Sequence, residues 1–228
     1  MNNKKSSFPK SAVDFLTRLK RNNNRDWFES HREEFQYSVL EPAQEFIIVL
    51  GEMLRTIAPD IIAIPKVDKS IFRLHRDVRF SKDKSPYKTN LGLFFWEGTK
   101  KKMECSGFYF HLEPGQFFIG NGIYIFTNEL MKEYRDIISI PAKAKELDSI
   151  IKTLKKKGYG IGGKFYKQVP RGLDKEYPYA EYFLYNGMYA FDDTFPLKDL
   201  YKQDVVKYSF KKFKEMLPIH RWLVKNFG

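Results

Sequence analysis

The strongest constraint on the fold is a change of hydrophobic period near residue 70. Before it, apolar residues recur every three or four positions: Val13, Leu16 and Leu19, then Trp27, Phe28, Phe35 and Val39, then Phe46, Val49, Leu50, Met53, Leu54 and Ile57. That spacing puts each set on one face of a helix. Ser11 and one of Asn22–Asn24 are the expected caps, Pro42 is the expected first residue of the third helix, and Pro59 closes it. After residue 70 the apolar runs shorten to strand length and fill with aromatic and β-branched residues: Ile71–His75, Leu91–Trp96, Gly107–Leu112 and Gln116–Ile119. Glu113-Pro114-Gly115-Gln116 places Pro then Gly at the centre of a type II turn, so the last two runs form an antiparallel hairpin. Helical period returns at Thr127–Ile138, Pro141–Leu154 and Lys198–Phe227, with a break expected at Pro218. Gly158–Gly163 reads as a helix cap and loop, followed by a short extended piece to Val169. The expected fold is α+β, one domain over residues 1–228, mainly an antiparallel sheet flanked by N- and C-terminal helices. Its parts are a helical block over 9–58, a sheet-rich middle over 70–125 and a helical part over 127–228.

Charge enters because 40 Lys and Arg stand against 28 Asp and Glu, a net +12 that favours polyanionic partners without specifying a reaction. Cys105 is the one cysteine, which excludes an internal disulfide and a Cys-rich zinc site and suits a reducing compartment. The basic N-terminus runs into an amphipathic segment, not a signal peptide's apolar core. The strongest apolar run, Phe46–Leu50, stops at Gly51-Glu52, far short of a bilayer span. A cytoplasmic protein with no membrane partner is expected, and the sequence leaves its oligomeric state open.

The chemistry concentrates in residues 73–88, where six Lys and Arg stand against Asp77 and Asp83. If this stretch is extended, side chains alternate: Arg73, His75, Asp77 and Arg79 on one face, Phe72, Leu74, Val78 and Phe80 on the other, facing a core. Arg76 interrupts the apolar row, so either a bulge re-aims it or it is buried with a carboxylate such as Asp77. One reading is an anion site formed by Arg73, Arg76, Arg79, Lys84 and Lys88, with Tyr87 adding a hydroxyl. The competing reading is a structural salt-bridge network around Asp77 and Asp83. His75 and Asp77, two residues apart on one face, are the candidate catalytic pair. Flanking Arg73 and Arg76 would keep the imidazole neutral and able to act as a base in phosphoester hydrolysis. A histidine bonded within the salt-bridge network is the plainer alternative.

Arg73-x-x-Arg76-Asp77-x-Arg79-Phe80-x-x-Asp83-Lys84-x-x-Tyr87 resembles the signature of the domain-of-unknown-function family 2461, bacterial proteins of about this length. Leu19–His31, with its Asn23-Asn24-Arg25-x-Trp27-Phe28 core, the His111–Gly115 turn region and Val169-Pro170-Arg171-Gly172 resemble the same family. The resemblance spans nearly the whole chain. It implies a single cytoplasmic domain and marks the Arg segment, and it carries no catalytic role across. Tyr177-Pro178 departs from the pattern, since a His-Pro is expected there.

Other patterns fail on context. Gly158-Tyr-Gly160-Ile-Gly162-Gly163 matches G-x-G-x-x-G, but a basic helix end precedes it where a dinucleotide site needs a strand. Gly163-Lys164 lacks the Ser or Thr of a phosphate loop. His111-x-Glu113 could begin a metal or acid–base site, yet no second ligand pair has suitable spacing, and a zinc deaminase needs more cysteines. Rings at Phe94-Phe95-Trp96 and Phe108-Tyr109-Phe110 could stack bases. Apolar content on both faces of the first run instead suggests a sheet covered on both sides. Lys155–Lys157 and Lys211, Lys212 and Lys214 read as solvated helix faces. No cofactor and no metal is expected. Three functions stand: an anionic-ligand binder, a phosphoester hydrolase and a basic nucleic-acid binder. Motif cations converging on a concavity favour the first; cations spread over a convex face with exposed rings favour the last.

Overall fold

The computed structural model describes residues 8–201 and 204–228. Helix α1 (Lys10–Arg21) turns Ala12, Val13, Phe15, Leu16 and Leu19 inward. It starts one residue before Ser11, and Pro9, not Ser11, holds the cap position. The Asn22–Asn24 run ends it, and the Asn24 side chain accepts from Trp27 N–H at 2.9 Å, capping α2 (Arg25–Ser30). Helix α3 (Arg32–Phe35) passes through a π-helical turn at Gln36–Leu40 into α4 (Glu41–Arg55), whose first turn holds Pro42.

Five strands follow in chain order: β1 (Leu91–Glu97), β2 (Ser106–Glu113), β3 (Gln116–Ile123), β4 (Gly160–Lys164) and β5 (Tyr185–Asp192). They form one antiparallel sheet in the order β1-β2-β3-β5-β4, which makes the protein α+β. Gly115 has φ +96°, as the third residue of a type II turn requires, and closes the β2–β3 hairpin. The Gly-rich stretch is a strand rather than the expected loop. Gly160 pairs with Phe191 and Gly162 with Tyr189. A Cβ on Gly160 would sit 2.3 Å from the Phe191 ring, and one on Gly162 only 2.1 Å from that of Tyr189. These glycines make room for rings, not for phosphates. Strands β4 and β5 therefore lie inside the part expected to be helical.

Thr127 caps α5 (Asn128–Ile138) by accepting from Leu130 N–H, and α6 (Pro141–Lys156) follows with its proline in the first turn. Helix α7 (Val205–Phe227) continues through Pro218, against the expected break. Met216, Leu217, Ile219, Trp222 and Leu223 are all buried around it. Burial of side chains this size, about 1.5–3 kcal/mol each, outweighs the ~3 kcal/mol cost of an internal proline.

The chain divides into two compact units. Of the described residues, the first comprises 8–95, 109–119, 193–201 and 204–211, and the second 96–108, 120–192 and 212–228. In the first, Phe46 and Phe110 meet at 4.6 Å beside Phe8, and Phe15 packs against Phe28 and Phe35. In the second, Phe108 packs on Phe213 and His220, while Tyr134 lies between Phe126 and Phe227.

Candidate anion-binding site

Residues 70–76 run antiparallel to residues 86–94 in the first unit, joined by backbone bonds Phe94 N–H to Ser70 O, Phe72 N–H to Gly92 O, Lys88 N–H to Leu74 O and Arg76 N–H to Pro86 O. Bridges join Ile71 to Leu93 and His75 to Tyr87, so the register slips by two residues between them. The segment is thus an irregular ribbon instead of a regular strand. Its alternation holds as far as Val78: Arg73, His75, Asp77 and Arg79 are exposed, and Phe72, Leu74, Arg76 and Val78 half-buried. Phe80 breaks the expectation. Parity places it in the core, whereas it is 96% exposed at the tip of a turn.

Most of the expected ligand-binding cations are occupied inside the motif. Arg76 lies in the half-buried row, but its carboxylate is Asp83, not Asp77, and its guanidinium also donates to Ser85 O at 3.3 Å. Asp83 accepts from Ser85 N–H at 2.9 Å. Hydrogen bonds from Ser85, then from Arg76, hold its carboxyl well below the usual carboxylate range. Arg79 grips Asp77 with both arms of its fork, Nε to Oδ1 at 2.9 Å and Nη2 to Oδ2 at 2.7 Å. That bond holds the Asp77 carboxyl below its ordinary value. The pair is exposed. Lys84 donates to Val78 O at 3.0 Å. Arg76, Arg79 and Lys84 therefore brace the loop over residues 77–85 from within.

Tyr87 is an anchor. It is 2% exposed, its ring stacks on Phe28 at 4.3 Å, and Asn23 takes its N–H at 3.1 Å and donates to its C=O at 2.9 Å. Burial, then the nearby Glu29 charge, pushes its hydroxyl pKa up. The two longest segments of the family resemblance, Asn23–Phe28 and Arg73–Tyr87, meet at these contacts. His75 lies 4.9 Å from the Tyr87 ring and makes no hydrogen bond to Asp77, both of whose oxygens belong to Arg79. The pair is not assembled as a base with its orienting carboxylate.

Arg73 and Lys88 remain. Neither has a carboxylate within ion-pair distance among the described residues. The Lys88 ammonium sits half-buried, 5.7 Å from the Phe72 ring centroid. Burial first, and the Arg73 charge second, push its pKa down. The Asp68 charge acts in the opposite direction, so these two neighbouring cations are the part of the motif not already held by an ion pair among the described residues.

One constellation escaped the sequence. Ser106 Oγ lies 2.9 Å from His220 Nδ1, and His220 Nε2 lies 2.8 Å from Glu97 Oε2, across separations of 114 and 123 residues that no local spacing reveals. Ser106 is 3% and His220 1% exposed. The void beside Ser106 measures about 10 Å³, room for one water at most and not for a substrate. The trio is a polar tie within the core. His111 is also committed. Its ring stacks on Phe118 at 4.4 Å, Nδ1 meets the Tyr109 hydroxyl at 2.9 Å, and burial lowers its pKa. Strand β1 is buried on both faces, as its apolar content leads one to expect, whereas in β2 Phe108, Phe110 and Leu112 are buried and Tyr109, His111 and Glu113 only partly so. Tyr177, where a histidine was expected, donates to Ile138 O at 2.9 Å. Lys212, read as solvated, is three-quarters buried and pairs with Asp192 at 2.8 Å.

A concavity of about 320 Å³ in the second unit, walled by Lys100, Lys101, Glu104, Glu129 and Glu133, contains no residue of the motif, and its Lys100 is paired with Glu133. Among the described residues no group of three or more His, Cys, Asp or Glu is placed to hold a metal, and no helix is long and apolar enough to cross a membrane. Fold and surface define a basic α+β protein whose longest charged motif is an exposed, internally braced loop. The family model described as Conserved hypothetical protein (DUF2461) matches residues 11–222 of the 228, and the chain belongs to that family. Neither the curated proteins nor the solved structures contain a match.

Proposed function

We propose that the protein binds a phosphate-bearing ligand, with Arg73 and Lys88 as the contacting cations. The observation that carries this reading is the Lys88 ammonium, half-buried against Phe72 beside Arg73, with the Asp68 charge offsetting only part of the cost and no carboxylate at ion-pair distance among the described residues. An anion there would relieve the like-charge repulsion and replace lost hydration. The Arg73 fork would fix its orientation. Arg76, Arg79 and Lys84 support the site by holding the adjoining loop, and Tyr87 anchors the ribbon that carries Lys88. The single cysteine, a buried free thiol, supports placing the protein in the cytoplasm.

Titration calorimetry with inorganic phosphate and pyrophosphate tests the site. Saturable binding is expected in the wild type and is lost in Lys88→Met and Arg73→Gln, with little change in their melting temperatures. Bound phosphate raises the Lys88 pKa from its depressed free value. Affinity is therefore full below that free value and declines as the pH rises through it. Wild-type phosphate affinity in Lys88→Met would overturn the assignment.

A further inference from the structure

The loop over residues 77–85 spends its charges on itself and leaves one ring in water. Arg76 ties Asp83 and Ser85, Arg79 clamps Asp77, Lys84 holds Val78 O, and Ser81 N–H closes back on Val78 O. Val78 is half-buried beneath this brace, while Phe80, two residues on, is 96% exposed. A loose loop could fold such a ring against apolar neighbours; a braced one holds it out. The Arg79 guanidinium carbon lies 5.9 Å from the ring centroid, and exposed Lys82 has no carboxylate at ion-pair distance among the described residues. Cations around a presented ring are the elements of a base-stacking platform: the ring offers a π-face to any base, and the cations meet the flanking phosphates.

We propose that Phe80 stacks on an unpaired base while Lys82 contacts an adjoining phosphate, so that the ligand of this motif is a single-stranded nucleic acid. The inference rests on the anion reading of Arg73 and Lys88. Arg73 shares the outward row with Arg79, which makes a further phosphate contact available along the same strand. The net charge of +12 complements such a partner. A lipid surface fits less well. One ring is a small apolar anchor for a membrane. One ring is enough for one base.

Fluorescence polarisation at low salt, with labelled single-stranded DNA and RNA of one sequence, the matching duplex, and vesicles containing phosphatidylserine, provides the test. Single strands of DNA, RNA or both are expected to bind more tightly than the duplex. Phe80→Ala weakens that binding about 5- to 100-fold, and Phe80→Trp preserves it. Both variants keep the wild-type melting temperature, because the ring is solvent-exposed, and both keep calorimetric phosphate binding. Equal affinity of Phe80→Ala and wild type for single strands, preference for the duplex, absence of nucleic-acid binding, or Phe80-dependent binding to vesicles alone would each overturn the stacking proposal. In those cases phosphate binding lost in Lys88→Met leaves the anion site standing. The converse, phosphate binding indifferent to Arg73 and Lys88 while Phe80→Ala still releases single strands, removes the anion site and leaves the stacking contact.

Discussion

Asn23 acts as a strand neighbour made from one side chain. Its amide accepts from Tyr87 N–H and donates to Tyr87 C=O, tying the loop after α1 to a residue 64 positions away. Asn23→Ala leaves both backbone groups unpaired. Orphaned groups of this kind cost about 1–3 kcal/mol, so a fall of roughly 2 kcal/mol is expected, or about 4–8 °C in melting temperature. Arg79→Ala removes a shorter bond and a charge, yet the Arg79–Asp77 pair is exposed and screened by solvent, so its loss costs little. Thermal denaturation of both variants should rank Asn23→Ala well below Arg79→Ala, and the reverse order would contradict these roles. Asp83 is a residue-scale pH probe. Its folded pKa is depressed by Ser85 and Arg76, so the contribution it makes to loop order is present above the unfolded value of about 3.9 and is lost as the pH falls through the folded one. The Ser85 amide resonance, which reports the bond to Asp83, should titrate below that unfolded value. An inflection at or above it would mean the brace is absent in solution.

On α7, one helix collects the polar ties of the second unit. Lys212 pairs with Asp192, Glu215 accepts from the Tyr159 hydroxyl at 2.5 Å, and His220 links Ser106 to Glu97. His220→Leu matches the ring in bulk but orphans the Ser106 hydroxyl and the Glu97 carboxylate. About 3 kcal/mol should be lost, or roughly 6–12 °C. Adding Glu97→Leu should restore part of it, since the cost lies in the carboxylate left behind. Full additivity of the two substitutions would exclude a shared network. Elements defined by a dense apolar stripe or a capping residue were legible in the sequence: α1, α5, α6 and the β2–β3 hairpin. Strands β4 and β5 were not. Gly160, Gly162 and Gly163 carry no side chains, and the buried row of β5 includes Ala190 and Asp192, so neither has an apolar period to read. Aspartate can occupy that row because Lys212 reaches it. In the motif, alternation predicted exposure through Val78 and failed at Phe80, where the local turn closed by Ser81 N–H overrides parity. The partner of Arg76 escaped because two carboxylates lay within reach and spacing alone does not choose between them.

At the scale of the molecule, the chain crosses between its two compact units five times, after residues 95, 108, 119, 192 and 211. Four of these crossings fall inside regular elements, within β1, β2, β3 and α7, and the fifth falls at the end of β5. Hydrogen bonds within a helix or along a strand form cooperatively, so an element cut by a unit boundary cannot melt on one side without exposing unpaired backbone on the other. Neither unit is a contiguous segment that could be excised and refold alone. One cooperative unfolding transition is therefore expected despite the two centres of packing. Trp96 and Trp222 report the second unit, and Trp27 reports the first. In a Trp27→Phe variant the fluorescence follows the second unit alone, while far-UV circular dichroism follows the helices of both. Guanidinium titrations read by the two signals should give coincident midpoints and one slope. A fluorescence transition displaced from the dichroism curve, with the dichroism itself in two steps, would show that each unit holds its own stability and that the shared elements do not couple them.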